Sequence, residues 1–301
     1  MTSASQPFVT VVIPTYRRPA ALARCLASLA AQDYPAHRFE VVIADDGGAV
    51  PLDEVIAAHA SALSLVPLTL HHGGPAAARN HGAAAGRGEV LAFLDDDCIA
   101  DPGWISALVV ALDRTPNAAV GGGIVNGVPD NPYVRASHTL LAFLYRFYHE
   151  QQRGWLPFFT TNNLAVRTDT FAAVGGFDPS FVFASEDRDW SDRCRLAGHP
   201  LVHAPDAVVM HAPYLTLGRF LRMHLRYGEG AWRFHRARAA RGEYARHVER
   251  SDFYVGMLTA PFRQGDPQPL RQSLLLLISQ AVAALGYAQA AWRARHGHAA
   301  R

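Results

Sequence analysis

The 301-residue sequence predicts an α/β fold, with a mostly parallel sheet flanked by helices and a helical C-terminal extension. Three observations predict it. Residues 1–130 alternate short apolar runs with amphipathic segments, as successive βα units do. Polar and glycine-rich residues gather at the C-terminal end of each run, where open α/β sheets bind ligands. Beyond residue 213 the pattern changes to long, arginine-rich helical spacing.

The elements follow in order. Residues 8–13 read as a buried strand closed by Pro14. Pro19 opens a helix on which Leu22, Leu26 and Leu29 recur at helical spacing. Residues 39–44 form a second strand ending in Asp45-Asp46-Gly47-Gly48, and 52–59 a helix. A third strand, 66–70, leads through Gly73-Gly74 to a helix over 76–85. The fourth strand is 90–94, Pro102 starts the next helix, and 118–125 is the fifth strand. An aromatic helical connector covers 131–153, from Asn131 to Arg153. A strand over 158–167, a turn at Gly175-Gly176, a helix over 187–196 and a strand over 207–210 complete this part.

Composition narrows the function. Half the residues are hydrophobic, which supports a large core, and the net charge of +2 is too small for nucleic acid to be the general partner. All 28 Lys+Arg positions are Arg, so a single arginine carries less functional weight than usual. Cys25, Cys98 and Cys194 lie far apart with no C-x-x-C, which argues against a disulfide framework or a zinc site and fits a reducing cytoplasm. Residues 1–7 have neither a basic nor an apolar segment, so no signal peptide is expected.

Nine Arg against three Glu between residues 215 and 250 give a local balance of +6. Leu217, Leu221 and Leu225 share one face there, with Phe220 and Trp232 nearby. The pattern fits contact of 215–296 with an anionic membrane surface, and fits equally a helix packed on the rest of the protein. Residues 272–292 carry no charge and lie between Arg271 and Arg293. Their length suffices to span a bilayer, but Gln272, Gln280, Gln289 and many alanines leave a core helix or an interfacial helix open as well. The chain is expected in the cytoplasm, either free or peripheral on the inner face of the cell membrane.

The strongest chemical signal is Phe93-Leu94-Asp95-Asp96-Asp97, an apolar strand running into three carboxylates. Adjacent acids repel, and a divalent cation removes that repulsion. Oxygen ligands of this kind suit Mg²⁺ or Mn²⁺ with positions left for phosphate oxygens, whereas a solvated acidic turn is the plain alternative. Glu186-Asp187 begin a helix after an apolar stretch. A carboxylate there could serve as a general base, or the pair could complement the helix dipole. His211 ends a strand, where it either binds metal or is a hydrogen-bonded core histidine.

In order, these pieces resemble the family 2 glycosyltransferases of the GT-A fold, which are inverting enzymes. The matching text starts with Val11-Val12-Ile13-Pro14-Thr15-Tyr16-Arg17-Arg18 and Val41-Val42-Ile43-Ala44-Asp45-Asp46-Gly47. Ala78-Arg79-Asn80-His81-Gly82 and Gly88-Glu89-Val90-Leu91-Ala92-Phe93-Leu94-Asp95-Asp96-Asp97 follow. Asn163-Leu164-Ala165-Val166-Arg167, Gly175-Gly176-Phe177-Asp178, Glu186-Asp187-Arg188-Asp189-Trp190 and Ala207-Val208-Val209-Met210-His211 complete the series.

The resemblance implies a catalytic domain over 1–213, with a donor-binding half 1–130 and an acceptor-side half 131–213, and a helical, basic extension over 214–301. It implies a UDP-, GDP- or dTDP-sugar donor, with Mg²⁺ or Mn²⁺ as cofactor. Pro14, Thr15, Tyr16 and Arg18 would lie along the nucleoside, Asp46 would bond the base with Asp45 beside it, and Arg79 would sit near ribose or phosphates. Asp97 would contact the metal, Asp95 and Asp96 would help hold the ribose and the hydrated ion, and His211 would complete the site. Asp187 maps to the general base. Asn162, Asn163, Glu186 and Trp190 are acceptor-side candidates, although a satisfied turn explains the two asparagines and core packing explains the indole as well.

The acceptor would be a glycan, a lipid or a small molecule. The sequence has no Q-x-x-R-W-type motif after His211, which favours adding one sugar at a time over processive synthesis. Two other readings stand beside this one. A sugar-nucleotide nucleotidyltransferase would want a glycine-rich loop after the first strand, and residues 14–18 contain no Gly. A non-catalytic carbohydrate-binding scaffold would be expected to lose its acids, which are present.

Overall fold

The computed structural model describes residues 6–48, 50–150, 157–243 and 249–296. They divide into two compact units. One comprises the chain up to Val125 with Phe158–Val182 and Trp190–Ala212; the other comprises Asn126–Pro157, Phe183–Asp189 and the chain from Pro213 onward.

The first unit is built on an eight-stranded sheet in the order β3-β2-β1-β4-β7-β6-β8-β5. In chain order the strands are β1 (Val9–Thr15), β2 (Phe39–Asp45), β3 (Leu65–Thr69), β4 (Val90–Leu94), β5 (Cys98–Ala100), β6 (Ala119–Asn126), β7 (Asn163–Arg167) and β8 (Leu201–His211). Helices α1 (Pro19–Ala30), α2 (Asp53–His59), α3 (Pro75–Ala85) and α4 (Trp104–Arg114) alternate with the early strands. The sheet is mixed. β3, β2, β1 and β4 pair in parallel, as the βα alternation requires, and β7 pairs antiparallel with both β4 and β6.

β1, β2 and β4 are buried along nearly their whole length, because helices cover a parallel sheet on both faces. Leu22, Cys25, Leu26 and Leu29 of α1 and Trp104, Ile105 and Leu108 of α4 join Val11, Ile13 and Val41 in one core. Pro14 does not close β1, which continues to Thr15. Pairing with β4 stops at Val12↔Phe93, so Pro14 lies beside β2 alone, where a missing donor is tolerated. The strand expected over 158–167 is only its last five residues. The amide of Asn163 donates to the carbonyl of Thr160, which makes 160–163 a turn. β5, three residues paired with β8, had no counterpart in the sequence reading.

The second unit is helical: α5 (Pro132–Tyr145) with a π-helical turn at Arg146–Glu150, α8 (Leu217–Ala240), α9 (Ser251–Arg263) and α10 (Pro269–Arg295). Helices α6 (Thr168–Val174) and α7 (Glu186–Leu196) precede α8 in the chain. The connector expected to end at Arg153 is thus helical to Glu150, and Arg153 lies outside the described residues. Asn131 caps α5 by accepting from the amides of Tyr133 and Val134, and its own amide donates to the carbonyl of Leu215. Ala136, Phe220 and Leu275 form a small core, and Phe143 and Phe147 pack on Phe253. The segment around 131–150 therefore packs with the C-terminal helices.

Candidate active site

The sheet's order reverses at β1 and β4: β2 and β3 lie on one side of β1, and β4 lies on the other. Such a switch point opens a crevice beyond the strand ends. Charged side chains meet at these strand ends. The Thr15 hydroxyl donates to Asp96 Oδ2 at 2.7 Å. Arg18 Nη1 lies 2.7 Å from Asp97 Oδ2 and 3.1 Å from Asp96 Oδ1. Arg79, itself buried, donates to Asp95 Oδ1 at 2.6 Å. His211, brought alongside by the β5–β8 pairing, places Nε2 3.4 Å from Asp97 Oδ1. Two guanidiniums and an imidazole thus oppose three carboxylates.

The position of Arg18 is set locally. Arg17 has φ 58°, a left-handed conformation that a non-glycine residue adopts only under constraint. Its guanidinium lies over the Tyr16 ring, which stacks in turn on His72 with centroids 4.7 Å apart. Asp45 accepts from the amide of Gly48. Asp46 accepts from the amides of Gly73 and Gly74 and lies 2.8 Å from His72 Nδ1. Asp46, expected to bond the nucleoside base, is thus engaged by the loop that follows β3, and Asp45 beside it by its own loop. His72 was missed; its signal was its place in His71-His72-Gly73-Gly74 beside the third strand.

Burial is the largest single influence on the titration of Asp96 and of Asp97. It raises the Asp96 carboxyl to about 7, against the pull of Arg18 and the Thr15 hydroxyl. Burial also opposes ionisation of Asp97, but His211 and Arg18 outweigh it and hold that carboxyl at about 2. The same contact with Asp97 raises His211 above the usual histidine range despite burial. An unfolded aspartate titrates near about 3.9. Between about pH 4 and about pH 7 the folded chain therefore keeps a proton on Asp96 that the unfolded chain has released, and stability falls as pH rises across that window. Asp97 acts oppositely, and its contribution is lost as pH falls from about 4 toward about 2. Asp96→Asn is expected to flatten the first slope and raise the metal-free melting temperature at neutral pH. Thermal melts in chelator over that range check it.

Asp97, Cys98 and His211 present potential ligand atoms within 4.8 Å of one another. Burial pushes the Cys98 thiol well above its ordinary value, so it stays protonated and is a poor ligand for a hard cation. A carboxylate and an imidazole remain, a donor pair that fits a divalent ion beside phosphate oxygens.

The sequence-derived acceptor residues fare differently. Asn163 is fully buried. It accepts from the Trp104 indole at 2.8 Å and donates to the carbonyls of Gly123 and Ala207, each at 2.8 Å, so it is a structural cross-link and not an acceptor contact. Asn163→Ala would strand these partners and is expected to destabilise the fold by about 3 kcal/mol. Chemical denaturation would show this as a lowered midpoint. Trp190 is 0% exposed, packed on Phe171 and Phe177, and offers no ring face to a sugar. Asn162 is also buried and accepts from the Thr160 hydroxyl.

In the helical unit, Asp187 stands in the first turn of α7 and Glu186 is buried beside it. Asp187 Oδ1 accepts from the amide of Arg188. Ser185, the residue before α7, has φ 75°, a second strained non-glycine residue. Helix α8 braces this segment. A Cβ on Gly230 would lie 2.7 Å from both the Ala184 carbonyl and the Ser185 hydroxyl, Arg226 lies over the Phe183 ring, and Arg241 pairs with buried Asp189 at 2.8 Å. These contacts join residues far apart in sequence and were not foreseen.

A family model described as "Glycosyl transferase family 2" matches residues 10–175. Glycosyltransferase AglE of Haloferax volcanii is 29% identical over 74% of this chain and 73% of its own length. A pre-mycofactocin glycosyltransferase of Mycobacterium tuberculosis is 32% identical over 74% of this chain, a match that takes in 46% of the relative. Among solved structures, the mannosyltransferase PcManGT of Pyrobaculum calidifontis, in complex with GDP-Man and Mn²⁺, superposes with a TM-score of 0.62 at 20% identity, covering 96% of this chain and 81% of that one.

Proposed function

The chain belongs to glycosyl transferase family 2, and from that premise we propose that it moves a sugar from a nucleoside-diphosphate sugar to an acceptor hydroxyl. The reaction is metal-dependent, inverts the anomeric centre and adds one sugar per encounter. The observation that carries the reading is the cluster at the β1/β4 switch point, where Arg18 and Arg79 meet Asp95, Asp96 and Asp97. A diphosphate leaving group is stabilised by cationic side chains and by a held cation.

The donor is a UDP-, GDP- or dTDP-sugar, and the acceptor is a glycan, a lipid or a small molecule. Tyr16 and its neighbours serve the nucleoside. Asp97 and His211 would hold Mn²⁺ or Mg²⁺, with Asp95 and Asp96 beside them; the solved mannosyltransferase with GDP-Man and Mn²⁺ supports that choice. When bound, the ion supplies Lewis-acid neutralisation of the departing diphosphate. Arg18 and Arg79 add fixed positive charge near the phosphates. An acceptor hydroxyl titrates far above neutral pH, so it must lose its proton as it attacks. Asp187 takes that proton. One base and one displacement invert the anomeric carbon, with no carboxylate nucleophile. The catalytic part covers 1–213 together with the α8 contacts that brace Asp187, and 214–301 is the helical extension.

The test is nucleotide release from a panel of UDP-, GDP- and dTDP-sugars, in chelator and with Mn²⁺ or Mg²⁺ restored, followed by NMR of the product anomer. Turnover of one donor that vanishes in chelator and gives the inverted anomer supports the reading. Metal-independent turnover or a retained anomer refutes it.

A further inference from the structure

Helix α10 is apolar on two faces, and only one is covered. Leu275, Leu276, Ser279 and Gly286 are buried, and the Ser273 hydroxyl donates to the Leu258 carbonyl of α9. On the other face Leu270, Leu274, Leu277, Leu285 and Trp292 are 53–75% exposed and recur three, four or seven to eight residues apart. They form one stripe along the helix, an arrangement that solvated surfaces avoid.

Exposed Arg271 lies at the start of the stripe and exposed Arg293 and Arg295 at its end. The neighbouring α8 carries a second stripe at helical spacing, Arg219, Arg222, Arg226, Glu229, Arg233 and Arg236. The two stripes adjoin where Arg293 pairs with Glu229 at 3.0 Å. We infer that the apolar face of α10 lies in the plane of an anionic membrane surface, with the flanking arginines on lipid phosphates.

Charge decides between this occupant and a second copy of the chain. A twofold self-interface puts the same patch on both sides and would bring these arginines toward their own counterparts, whereas an anionic leaflet complements them. Trp292 at the end of the stripe suits the headgroup boundary. Packing decides between lying and spanning. No side chain fits between Gly228 and the Ala283 carbonyl, or between Gly286 and the Leu225 carbonyl, so the two helix backbones touch. A spanning α10 would draw Arg222 and Arg226 of α8 to the depth of the hydrocarbon.

The experiment is flotation of the full chain with vesicles of phosphatidylcholine alone and with about a third phosphatidylglycerol. The wild type is expected to float with the anionic vesicles at least about 10-fold better than with the neutral ones, less so in high salt, and to be released by alkaline carbonate. Leu274→Glu/Leu277→Glu/Leu285→Glu should cut flotation about 10-fold or more with an unchanged thermal melt, and Arg222→Glu/Arg236→Glu should remove the preference for anionic lipid. The inference is overturned if the wild type does not float, if the triple-Glu variant floats as well as the wild type, or if carbonate fails to release bound protein. It is also overturned if light scattering finds a lipid-indifferent dimer that the same three substitutions dissolve. Nucleotide release in detergent-free buffer reads the sugar-transfer proposal separately, so the two can fail independently.

Discussion

Asp187→Asn is expected to lower the rate of sugar transfer by roughly 10²–10⁴-fold while leaving nucleotide-sugar affinity unchanged, the signature of a lost general base. The substitution keeps size and hydrogen-bonding shape, so the loss reads proton transfer and not packing. The setting of Asp187 sharpens the expectation. Ser185 at φ 75° and the close approach of Gly230 to Ala184 and Ser185 fix where α7 begins, and the Arg241–Asp189 ion pair holds its first turn. Gly230→Val should therefore reduce kcat as well, by a smaller factor, through displacement of the segment and not of the chemistry. Isothermal titration with donor, beside single-turnover rates, separates these effects. Full activity in Asp187→Asn would remove it from the mechanism.

Asp97→Ala should abolish stimulation by Mn²⁺ and lower donor turnover by about 100-fold or more, since a metal-held leaving group is stabilised by several kcal/mol. In the metal-free protein the same carboxylate balances both Arg18 and His211. Its removal leaves Arg18 facing only Asp95 and Asp96 and takes away the contact that favours a charged His211, so a phosphate-bearing ligand should still bind through Arg18 and Arg79 while the ion does not. Paramagnetic resonance of Mn²⁺ with and without donor measures the ion directly. Normal metal dependence in Asp97→Ala would mean that the ion sits elsewhere.

Local pattern made residues 1–130 readable. Val90–Leu94 is a contiguous apolar run, and the three acids follow it without a gap, so strand and cluster were legible together. The parallel order of β1, β2 and β4 follows from alternation with helices, and it brings Thr15 and Arg18 to Asp96 and Asp97. Side chains whose roles depend on distant partners were not legible. Asn163 beside an apolar strand looks like a ligand contact in sequence, yet its amide satisfies an indole and two carbonyls supplied by other elements. Trp190 carried no local sign that Phe171 and Phe177 would enclose it. The bracing of Ser185 by Gly230 joins positions with no shared motif. Between Arg271 and Arg293 helix α10 carries no charge on any side, so only the packing of the bundle shows which face is covered.

Soaking crystals with donor and Mn²⁺ tests the central claim most directly. The account predicts the ion ligated by Asp97 and His211, with the diphosphate on the ion's free side and within reach of Arg18 and Arg79. A diphosphate bound away from the three aspartates, or an ion that contacts neither Asp97 nor His211, would contradict it.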